Sequence, residues 1–326
     1  MQRGLFELVM EKAARKKIPL SCHFDLTYHC NLRCIHCYVA KHDRLELGTS
    51  EIKGILEQLA ASGTLYLTLS GGEILTRRDF FEIAEYARKL HFALRLLTNG
   101  TLIDREVADR VAALNPESVQ VSIYGIDPEV HDGITTVSGS LARTIHAAKM
   151  LRERKVKLRI ANVLMKQNMD DYPKVCELAQ KMGATFVADP RVTPKNDGDR
   201  SPMRFQITED DLSRVLADPL FDPKLGDDRP YPDGVFREIP CGAAHFSFYI
   251  SPYGDIFPCV QLPLFCGSLR EEDFAHIWYR SPQMLQVRSI TISQLPVCSC
   301  CGLLLFCRLC LGLAYLEEGD ILAPSK

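Results

Sequence analysis

Hydrophobic and polar positions alternate in six short segments of the first 190 residues, which is the pattern of half-buried strands. The segments read HFDLTY, LYLTLSGG, ALRLLTNG, SVQVSIYG, KLRIANVLM and ATFVADP. Between them, stretches such as TSEIKGILEQLAASG and RDFFEIAEYARKL repeat their apolar positions every three to four residues, which indicates amphipathic helices. Six successive strand–helix units predict an α/β fold with a parallel sheet, open or closed into a barrel, and a site at the carboxyl ends of its strands.

The same pattern divides the 326 residues into four parts. Residues 1–20 predict a short amphipathic helix, and residues 21–188 contain the strand–helix units. A passage rich in proline and aspartate predicts a linker over 189–234. The cysteine-rich residues 235–326 are therefore expected to form a second, small module.

Charge and hydropathy exclude some partners. The formal net charge is −2, so the chain carries no charge excess suited to a phosphate backbone, and nucleic acid is not expected as a partner. No stretch approaches the roughly 20 clean apolar residues of a membrane span. The first residues also lack the apolar centre of a signal peptide, so we expect a cytoplasmic protein without membrane partners.

Thirteen cysteines in a reducing compartment are more consistent with metal ligation than with disulfides. Cys30, Cys34 and Cys37 follow the first predicted strand with C-x3-C-x2-C spacing. A structural zinc site needs four closed ligands, whereas an iron–sulfur cube held by three thiolates leaves one iron open. The spacing therefore favours an open, reactive iron–sulfur site, with zinc and unliganded core thiols as the alternatives.

With this motif the sequence resembles the radical S-adenosylmethionine (SAM) family over nearly the whole chain. The resemblance implies a partial (β/α)6 TIM-type barrel in which the three thiolates hold a [4Fe–4S] cluster, whose fourth iron binds SAM. One electron then cleaves SAM to a 5′-deoxyadenosyl radical, which abstracts a hydrogen atom from the substrate. His36 stands where many members carry an aromatic residue, and its ring is also flat.

Polar residues at the strand ends match the family's SAM contacts. In the segment LTLSGGEIL, a pair of glycines lets a ligand come close to the main chain, because no Cβ is in the way. The segment resembles the one that holds the amino group of SAM, which implies this role for Gly71, Gly72 and Glu73. Strands three and four match the segments that supply ribose and carboxylate contacts, and a residue of strand five is expected to face the same pocket. These candidates are Thr98, Asn99, Ser122 and Asn162. Each of them taken singly is equally well explained as a strand-end cap or turn.

The second module holds too many thiols for one metal, so at least two sites are implied, with a zinc ribbon as the alternative. It resembles the SPASM extension of radical SAM enzymes, which carries two auxiliary [4Fe–4S] clusters. The resemblance assigns to the inner cluster Cys241, Cys259 and Cys310, with Cys266 as a further candidate. It assigns to the outer cluster Cys298, Cys301 and Cys307.

The outer site departs from the family pattern. Two residues separate the last paired thiols where many relatives have three, and no cysteine follows Cys310 before the chain stops at Lys326. Three consequences are open: Cys300 or Asp320 substitutes as the fourth ligand, the outer cluster has an open iron, or the C-terminus has been shortened.

Within the family, the sequence resembles most the maturases of ribosomally made peptides, including those of pyrroloquinoline quinone synthesis. The expected function is reductive cleavage of SAM and modification of a ribosomally synthesised peptide by crosslinking, thioether formation, epimerisation or excision. The expected partners are the precursor peptide and an electron donor such as flavodoxin or ferredoxin. A separate leader-recognition protein is also expected, because only about 20 residues precede the first strand. Beyond the cluster and the SAM contacts, no catalytic residue is assigned.

Two other functions fit parts of the pattern. A small-molecule radical SAM enzyme of the haem pathway, which decarboxylates or removes side chains, would need a basic pocket. The linker candidates for it are Arg191, Lys195, Arg200 and Arg204. A non-enzymatic iron–sulfur electron carrier would use the same cysteines, but it has no use for an open iron.

Three further residues are expected in the core. Cys22 and Cys176 stand alone on a strand and an amphipathic helix, where a free thiol acts as a small hydrophobe. Trp278 is expected to anchor the packing of the second module.

Overall fold

The computed structural model describes residues 5–40, 43–218, 238–301 and 309–324. The elements of its first part are α1 (Leu5–Lys16), β1 (Ser21–Thr27), α2 (Thr49–Ala61), β2 (Tyr66–Gly71), α3 (Phe80–Lys89), β3 (Ala93–Thr98), α4 (Arg105–Ala113), β4 (Ser118–Ser122), α5 (Pro128–Thr135), α6 (Ser140–Glu153), β5 (Leu158–Val163), α7 (Tyr172–Lys181), β6 (Thr185–Asp189) and α8 (Glu209–Ala217). The second part adds β7 (Ser247–Ile250), β8 (Asp255–Phe257), β9 (Gly267–Ser268), α9 (Phe274–Arg280), α10 (Pro282–Ser289) and α11 (Leu311–Glu318).

All six predicted strands are present, and β1 to β6 pair in parallel with sequential neighbours side by side. Helices return the chain between them, so the sheet is the predicted partial (β/α)6 barrel. One difference is that two helices, α5 and α6, separate β4 from β5. No helix in the described ranges is long and apolar enough to cross a bilayer.

Strict alternation along the strands separates two faces of the sheet. Phe24, Leu69 and Leu96 point towards the helices and are at most 1% exposed. Burial of each such side chain stabilises the fold by about 1.5–3 kcal/mol. Cys22 and Cys176 lie in the same core, which confirms their expected structural role. The opposite face is left for polar side chains and the site.

The second module continues the barrel sheet. β7 pairs in parallel with β1, and β8 and β9 then extend the sheet in antiparallel fashion. Phe248, Phe274 and Trp278 form an aromatic cluster in the common core, and Trp278 is fully buried, as expected. Its indole nitrogen donates to the carbonyl of Lys17 (2.7 Å), which fixes the end of α1 to this module.

The described part of the predicted linker is folded. A 3-10 turn (Ser201–Phe205) precedes α8, which begins with a capping box between Thr208 and Asp211. The domain boundaries given above remain predictions, because the sheet and the core pass continuously from the barrel to the second module.

A buried histidine at this junction predicts a loss of stability in acid. His245 is 2% exposed, and its Nδ1 lies 2.9 Å from Nζ of Lys17. Burial, with Lys17 and Arg288 nearby, lowers the pKa of His245 to about 4. The stability from this neutral ring is complete above its unfolded pKa of about 6.5 and is lost as pH falls towards 4, in total by roughly 3 kcal/mol.

His245→Gln is therefore expected to reduce the fall of the thermal unfolding midpoint between pH 6.5 and 4. His276, which is exposed on α9, provides the control His276→Gln, whose pH profile should follow the wild type. Thermal unfolding across this pH range measures both, and equal slopes in all three proteins would contradict the assignment.

Candidate active site

The loop that leaves the carboxyl end of β1 carries Cys30, Cys34 and Cys37. The amides on either side of Cys34 donate to the carbonyls of Thr135 (3.1 Å) and Ile134 (3.0 Å) at the end of α5. The amide of Cys37 donates to the carbonyl of Cys34 (3.1 Å). The loop is thus held by main-chain hydrogen bonds that do not involve the three thiols.

The three thiols lie close enough for their charges to interact. Burial, followed by the charges of Cys37 and Cys30, raises the pKa of Cys34 to about 12. Burial likewise raises the pKa of Cys30, although its side chain is the most exposed of the three. Thiols that repel one another as thiolates are suited to a cationic centre that deprotonates them, which fits an iron–sulfur cluster.

Two aromatic rings cover this loop. The hydroxyl of Tyr124 hydrogen-bonds the thiol of Cys34, and its ring meets the edge of His36 at 4.8 Å. Burial lowers the pKa of His36 to about 4, so the ring is neutral near pH 7. Within the described residues its Nδ1 is buried without a hydrogen-bond partner. From the sequence, Tyr124 is expected near the mouth of the site, with a turn residue as an equally good interpretation and no assigned role.

The glycine pair at the end of β2 holds this loop against the sheet. The amide of Gly72 donates to the carbonyl of Thr27 (2.7 Å), and that of Glu73 donates to the carbonyl of His29 (2.8 Å). A Cβ atom on Gly72 would lie 2.3 Å from the carbonyl oxygen of His29, and one on Gly71 would lie 2.1 Å from that of Thr27. Both positions therefore require glycine, because main chain packs on main chain there.

Glu73 is a buried carboxylate with protein donors on both oxygens. Its Oε1 accepts from the hydroxyl of Thr98 (2.7 Å) and the amide of Leu75 (3.1 Å), and its Oε2 accepts from the amide of Asn99 (2.7 Å). Burial raises the pKa of Glu73, and these hydrogen bonds oppose the shift. A carboxylate accepts about four hydrogen bonds, so these three donors do not use up the accepting capacity of Glu73.

Asn99 joins this network to the cysteine loop. Its Nδ2 lies 3.8 Å from the sulfur of Cys30 and donates to Oδ1 of Asn31 (2.8 Å). The side chain of Asn31 donates in turn to the hydroxyl of Thr101 (2.8 Å). Asn99 therefore links Cys30 and Glu73: its side chain lies near the sulfur of Cys30, and its main-chain amide donates to the carboxylate of Glu73. Asn31 and Thr101 were missed, although Asn31 directly follows the first cysteine.

The remaining SAM candidates lie on different faces of the sheet. Ser122 ends β4 on the polar face and hydrogen-bonds Tyr124. Asn162 lies two residues after the core residue Ile160 on β5, so the two side chains share a face of the sheet. Its Oδ1 accepts from Nδ2 of Asn168 (3.2 Å). The structure therefore places Asn162 towards the helices, not beside Ser122, and its Nδ2 is buried without a partner among the described residues.

A buried polar chain crosses the interior below the cysteine loop. The hydroxyls of Tyr28 and Tyr249 are 2.6 Å apart, and Tyr249 donates to Oδ2 of Asp25 (2.9 Å). Nε2 of His23 lies 3.0 Å from the other carboxylate oxygen. Burial raises the pKa of Tyr249 well above 10. These contacts join β1 to β7, so the sequence of either strand could not reveal them.

In the second module, Cys259 and Cys310 lie together. Burial and the charge of Cys310 raise the pKa of Cys259 to about 11, and Gln261 accepts a hydrogen bond from Cys310 (3.3 Å). The thiol of Cys266 points elsewhere, to the carbonyl of Leu264 (3.2 Å). The structure therefore groups two of the four candidates for the inner cluster. Cys241 packs against the edge of the same core.

Of the three candidates for the outer site, Cys307 lies outside the described residues. Cys298 and Cys300 lie in one 3-10 turn, and Cys301 directly follows it. Burial is the main cause that raises the pKa of Cys298, and the charges of Cys301 and Cys300 add to it. Across the described ranges, no three histidine, cysteine or acidic side chains are grouped to hold a single metal ion.

Residues 190–200, here called the strap, connect the two cysteine sites. The side chain of Asn196 accepts from the amide of Ala40 (2.9 Å) and donates to the hydroxyl of Tyr28 (3.0 Å). At the other end, Arg200 donates to the carbonyl of Glu317 on α11, which directly follows Cys310 (3.3 Å). The strap thus fixes the auxiliary thiols relative to the cysteine loop.

A partial barrel with three thiols at the end of β1 and a second thiol group in a sheet extension defines an iron–sulfur enzyme. Residues 25–179 match the model of the radical SAM superfamily, and residues 241–302 match that of the SPASM iron–sulfur cluster-binding domain. The chain belongs to the radical SAM superfamily, and its cofactors are [4Fe–4S] clusters and SAM.

Two curated relatives are similar over most of the chain. The mycofactocin maturase of Mycolicibacterium smegmatis is 30% identical, over 89% of this chain and 77% of its own. The AdoMet-dependent heme synthase of Methanosarcina barkeri is 29% identical, over 95% of this chain and 96% of its own. Among solved structures, Streptococcus suis SuiB bound to SAM superposes with a TM-score of 0.70 at 21% identity, covering 95% of this chain and 77% of its own, which shows the shared fold.

Proposed function

We propose that this radical SAM enzyme modifies a ribosomally synthesised peptide. The observation that carries the proposal is the match to mycofactocin maturase, which is 30% identical over 89% of the chain. The PqqA peptide cyclase of Granulibacter bethesdensis is a second such relative, 27% identical over 86% of the chain.

Within this proposal, Cys30, Cys34 and Cys37 hold the SAM-binding cluster, and Glu73 receives the amino group of SAM. When bound, the cluster and SAM supply a 5′-deoxyadenosyl radical that abstracts hydrogen from the substrate. Thr98 and the amide of Asn99 hold the Glu73 carboxylate in place. A simple electron carrier would gain nothing from burying this carboxylate beside the loop, because burial of a charge is costly.

We assign Ser122 to the same pocket, on the polar face of β4. Asn162 stays outside this assignment, since it shares its face with the core residue Ile160. Cys259 and Cys310, with Cys241, are proposed as inner auxiliary ligands. The outer auxiliary ligands remain a proposal on Cys298 and Cys301 together with Cys307, Cys307 lying outside the described residues.

A tetrapyrrole is the second candidate substrate, because the heme synthase relative matches over nearly the full length of both chains. The structure gives it less support, since the four basic side chains suggested for a tetrapyrrole pocket already have protein partners. Arg191 pairs with Asp189 (2.9 Å), and Lys195 pairs with Asp199 (2.6 Å). Arg200 donates to a main-chain carbonyl, and the guanidinium of Arg204 lies over its neighbouring aromatic ring.

We further propose that a separate protein recognises the leader of the peptide, and that a flavodoxin or ferredoxin supplies the electrons. For the first, the support is that α1 is already used in packing. Its side chains Met10, Ala13 and Ala14 cover Ile239 and Phe246 of the second module. Binding of leader peptide to the purified chain alone, as tightly as to its mixture with the recognition protein, would contradict this part.

The function is tested with the reconstituted enzyme, SAM and dithionite. The substrates are synthetic precursor peptides carrying deuterium on carbon and, in parallel, an iron tetrapyrrole with carboxylate side chains. We expect deuterium to appear in 5′-deoxyadenosine only with a peptide, together with a change in the peptide mass. Loss of carbon dioxide from the tetrapyrrole, with unchanged peptides, would support the second candidate instead.

A further inference from the structure

A groove of about 610 Å³ lies outside the barrel, between α4 and α6. Its floor and one wall are residues 101–105, which follow the end of β3, and the other wall is one face of α6. This groove is separate from the polar face of the sheet that bears Ser122 and Tyr249. It is therefore not the cavity in which a substrate could reach the SAM site.

The lining of the α4/α6 groove is positively charged although the whole chain is slightly acidic. Four basic side chains line it with two acidic ones: the basic ones are Arg105, Arg143, Lys149 and Arg154, and the acidic ones are Asp104 and Glu153. Arg154 also pairs with Asp109 of α4 (2.6 Å), so the positive charge of the groove rests on the other three. Asp104 caps α4 by accepting from the amide of Val107 (2.8 Å). Arg105, Arg143 and Lys149 are exposed, and His146 lies between the last two.

The groove is joined to the cysteine loop by a short series of hydrogen bonds. Thr101 lines the groove and accepts from Asn31, which accepts from Asn99 (both 2.8 Å). Asn99 lies 3.8 Å from the sulfur of Cys30, the most exposed of the three thiols. The groove thus lies beside the most exposed thiol of the cysteine loop.

The cysteine loop adds charge to the same side. Arg33, between the first two cysteines, is exposed, and its amide donates to the carbonyl of Thr135 (3.1 Å). Thr135 ends α5, and α6 begins at Ser140. The basic positions of the loop and of the first turns of α6 therefore flank one surface.

We infer that the α4/α6 groove docks an acidic one-electron carrier protein, which reduces the cluster held by Cys30, Cys34 and Cys37. The inference rests on the proposed function, because only a SAM-cleaving site needs electrons there. One electron leaves the reduced carrier and enters the cluster, so the carrier is oxidised by one electron and the cluster is reduced by one. Complementary charge raises the association rate of two such proteins more than it raises the affinity of their complex.

The test compares two reductants on the reconstituted enzyme. Arg143→Glu combined with Lys149→Glu should slow cluster reduction by a reduced flavodoxin about tenfold or more at low salt, and should weaken its salt dependence. Reduction by dithionite, which needs no docking surface, should be unchanged. Lys12→Glu with Lys89→Glu reverses exposed charges on α1 and α3 and is the matched control. Both side chains are exposed, and Arg143 lies near the N-terminus of α6, where a negative charge is favourable, so the variant should fold.

Cluster reduction is followed by the loss of visible absorbance, so the result does not depend on SAM cleavage. An equal slowing with both reductants, or in the control variant, would overturn the inference. It would also fail if flavodoxin reduction were unchanged while binding of the peptide substrate weakened, since the groove would then hold peptide. Failure of the proposed function is a different result: dithionite-reduced wild type would then leave the mass of the peptides unchanged, however its cluster is reduced.

Discussion

Replacing Cys30, Cys34 and Cys37 together by alanine is expected to remove about four irons per chain and to abolish 5′-deoxyadenosine formation. The main-chain bonds of this loop to Thr135 and Ile134 do not involve the side chains. The loop should therefore keep its shape, and the fold should persist without the cluster. Anaerobic reconstitution, iron counting and an assay of deoxyadenosine after reduction measure the effect.

The number of irons per chain also shows how many auxiliary clusters the second module holds. If both auxiliary sites fill, the wild type carries about twelve irons and the variant about eight, and without an outer cluster these become about eight and four. The matched control is Cys22→Ala with Cys176→Ala, which removes buried core thiols at about 1 kcal/mol each. It should retain all irons and turnover. Deoxyadenosine formed by the triple variant would disprove the assignment of the cluster.

The second large effect is expected from one added methyl group, in Gly72→Ala. The new Cβ would lie 2.3 Å from the carbonyl oxygen of His29, a main-chain atom next to Cys30. Relief of this clash should cost about 1–3 kcal/mol of unfolding free energy and displace the cysteine loop. Because small displacements of reacting groups are costly, SAM cleavage should fall by about tenfold or more. Denaturant unfolding and the deoxyadenosine assay measure the two effects.

Gly54→Ala is the control for Gly72→Ala. Gly54 lies within α2, and a Cβ there would meet no atom within 4 Å. Alanine is a better helix former than glycine, so this variant should gain about 0.5–1 kcal/mol and keep its activity. If Gly72→Ala behaved in the same way, the requirement for glycine at the end of β2 would be refuted.

The predicted reason for the glycine pair differs from the structural one. From the sequence, Gly71 and Gly72 were expected to let a ligand approach the main chain. In the structure, the groups that approach are the carbonyls of Thr27 and His29 on β1 and the cysteine loop. The sequence indicated close contact correctly, but the partner is more than 40 positions away in the chain and could not be identified from local pattern.

The sequence itself contains a signal against placing Asn162 in the SAM pocket. In the segment RIANV, Ile160 and Asn162 are two residues apart and must share a face of the strand. Since Ile160 is buried under the helices, strict alternation already predicted that Asn162 would face them too. Asn31 and Thr101 had no comparable signal, because their hydrogen bonds depend on the loops after β1 and β3 meeting in space.

The sequence by itself determined the features that depend on near neighbours along the chain. These are the six strands, their amphipathic helices and the spacing of Cys30, Cys34 and Cys37, because side-chain period and ligand spacing are local properties. The tertiary structure decided the pairing of β7 with β1, the Tyr28–Tyr249–Asp25 contacts, and the hydrogen bonds from the Glu73 amide and the Asn99 side chain to the cysteine loop. Those join segments tens to hundreds of residues apart, and only packing of the shared core brings them together.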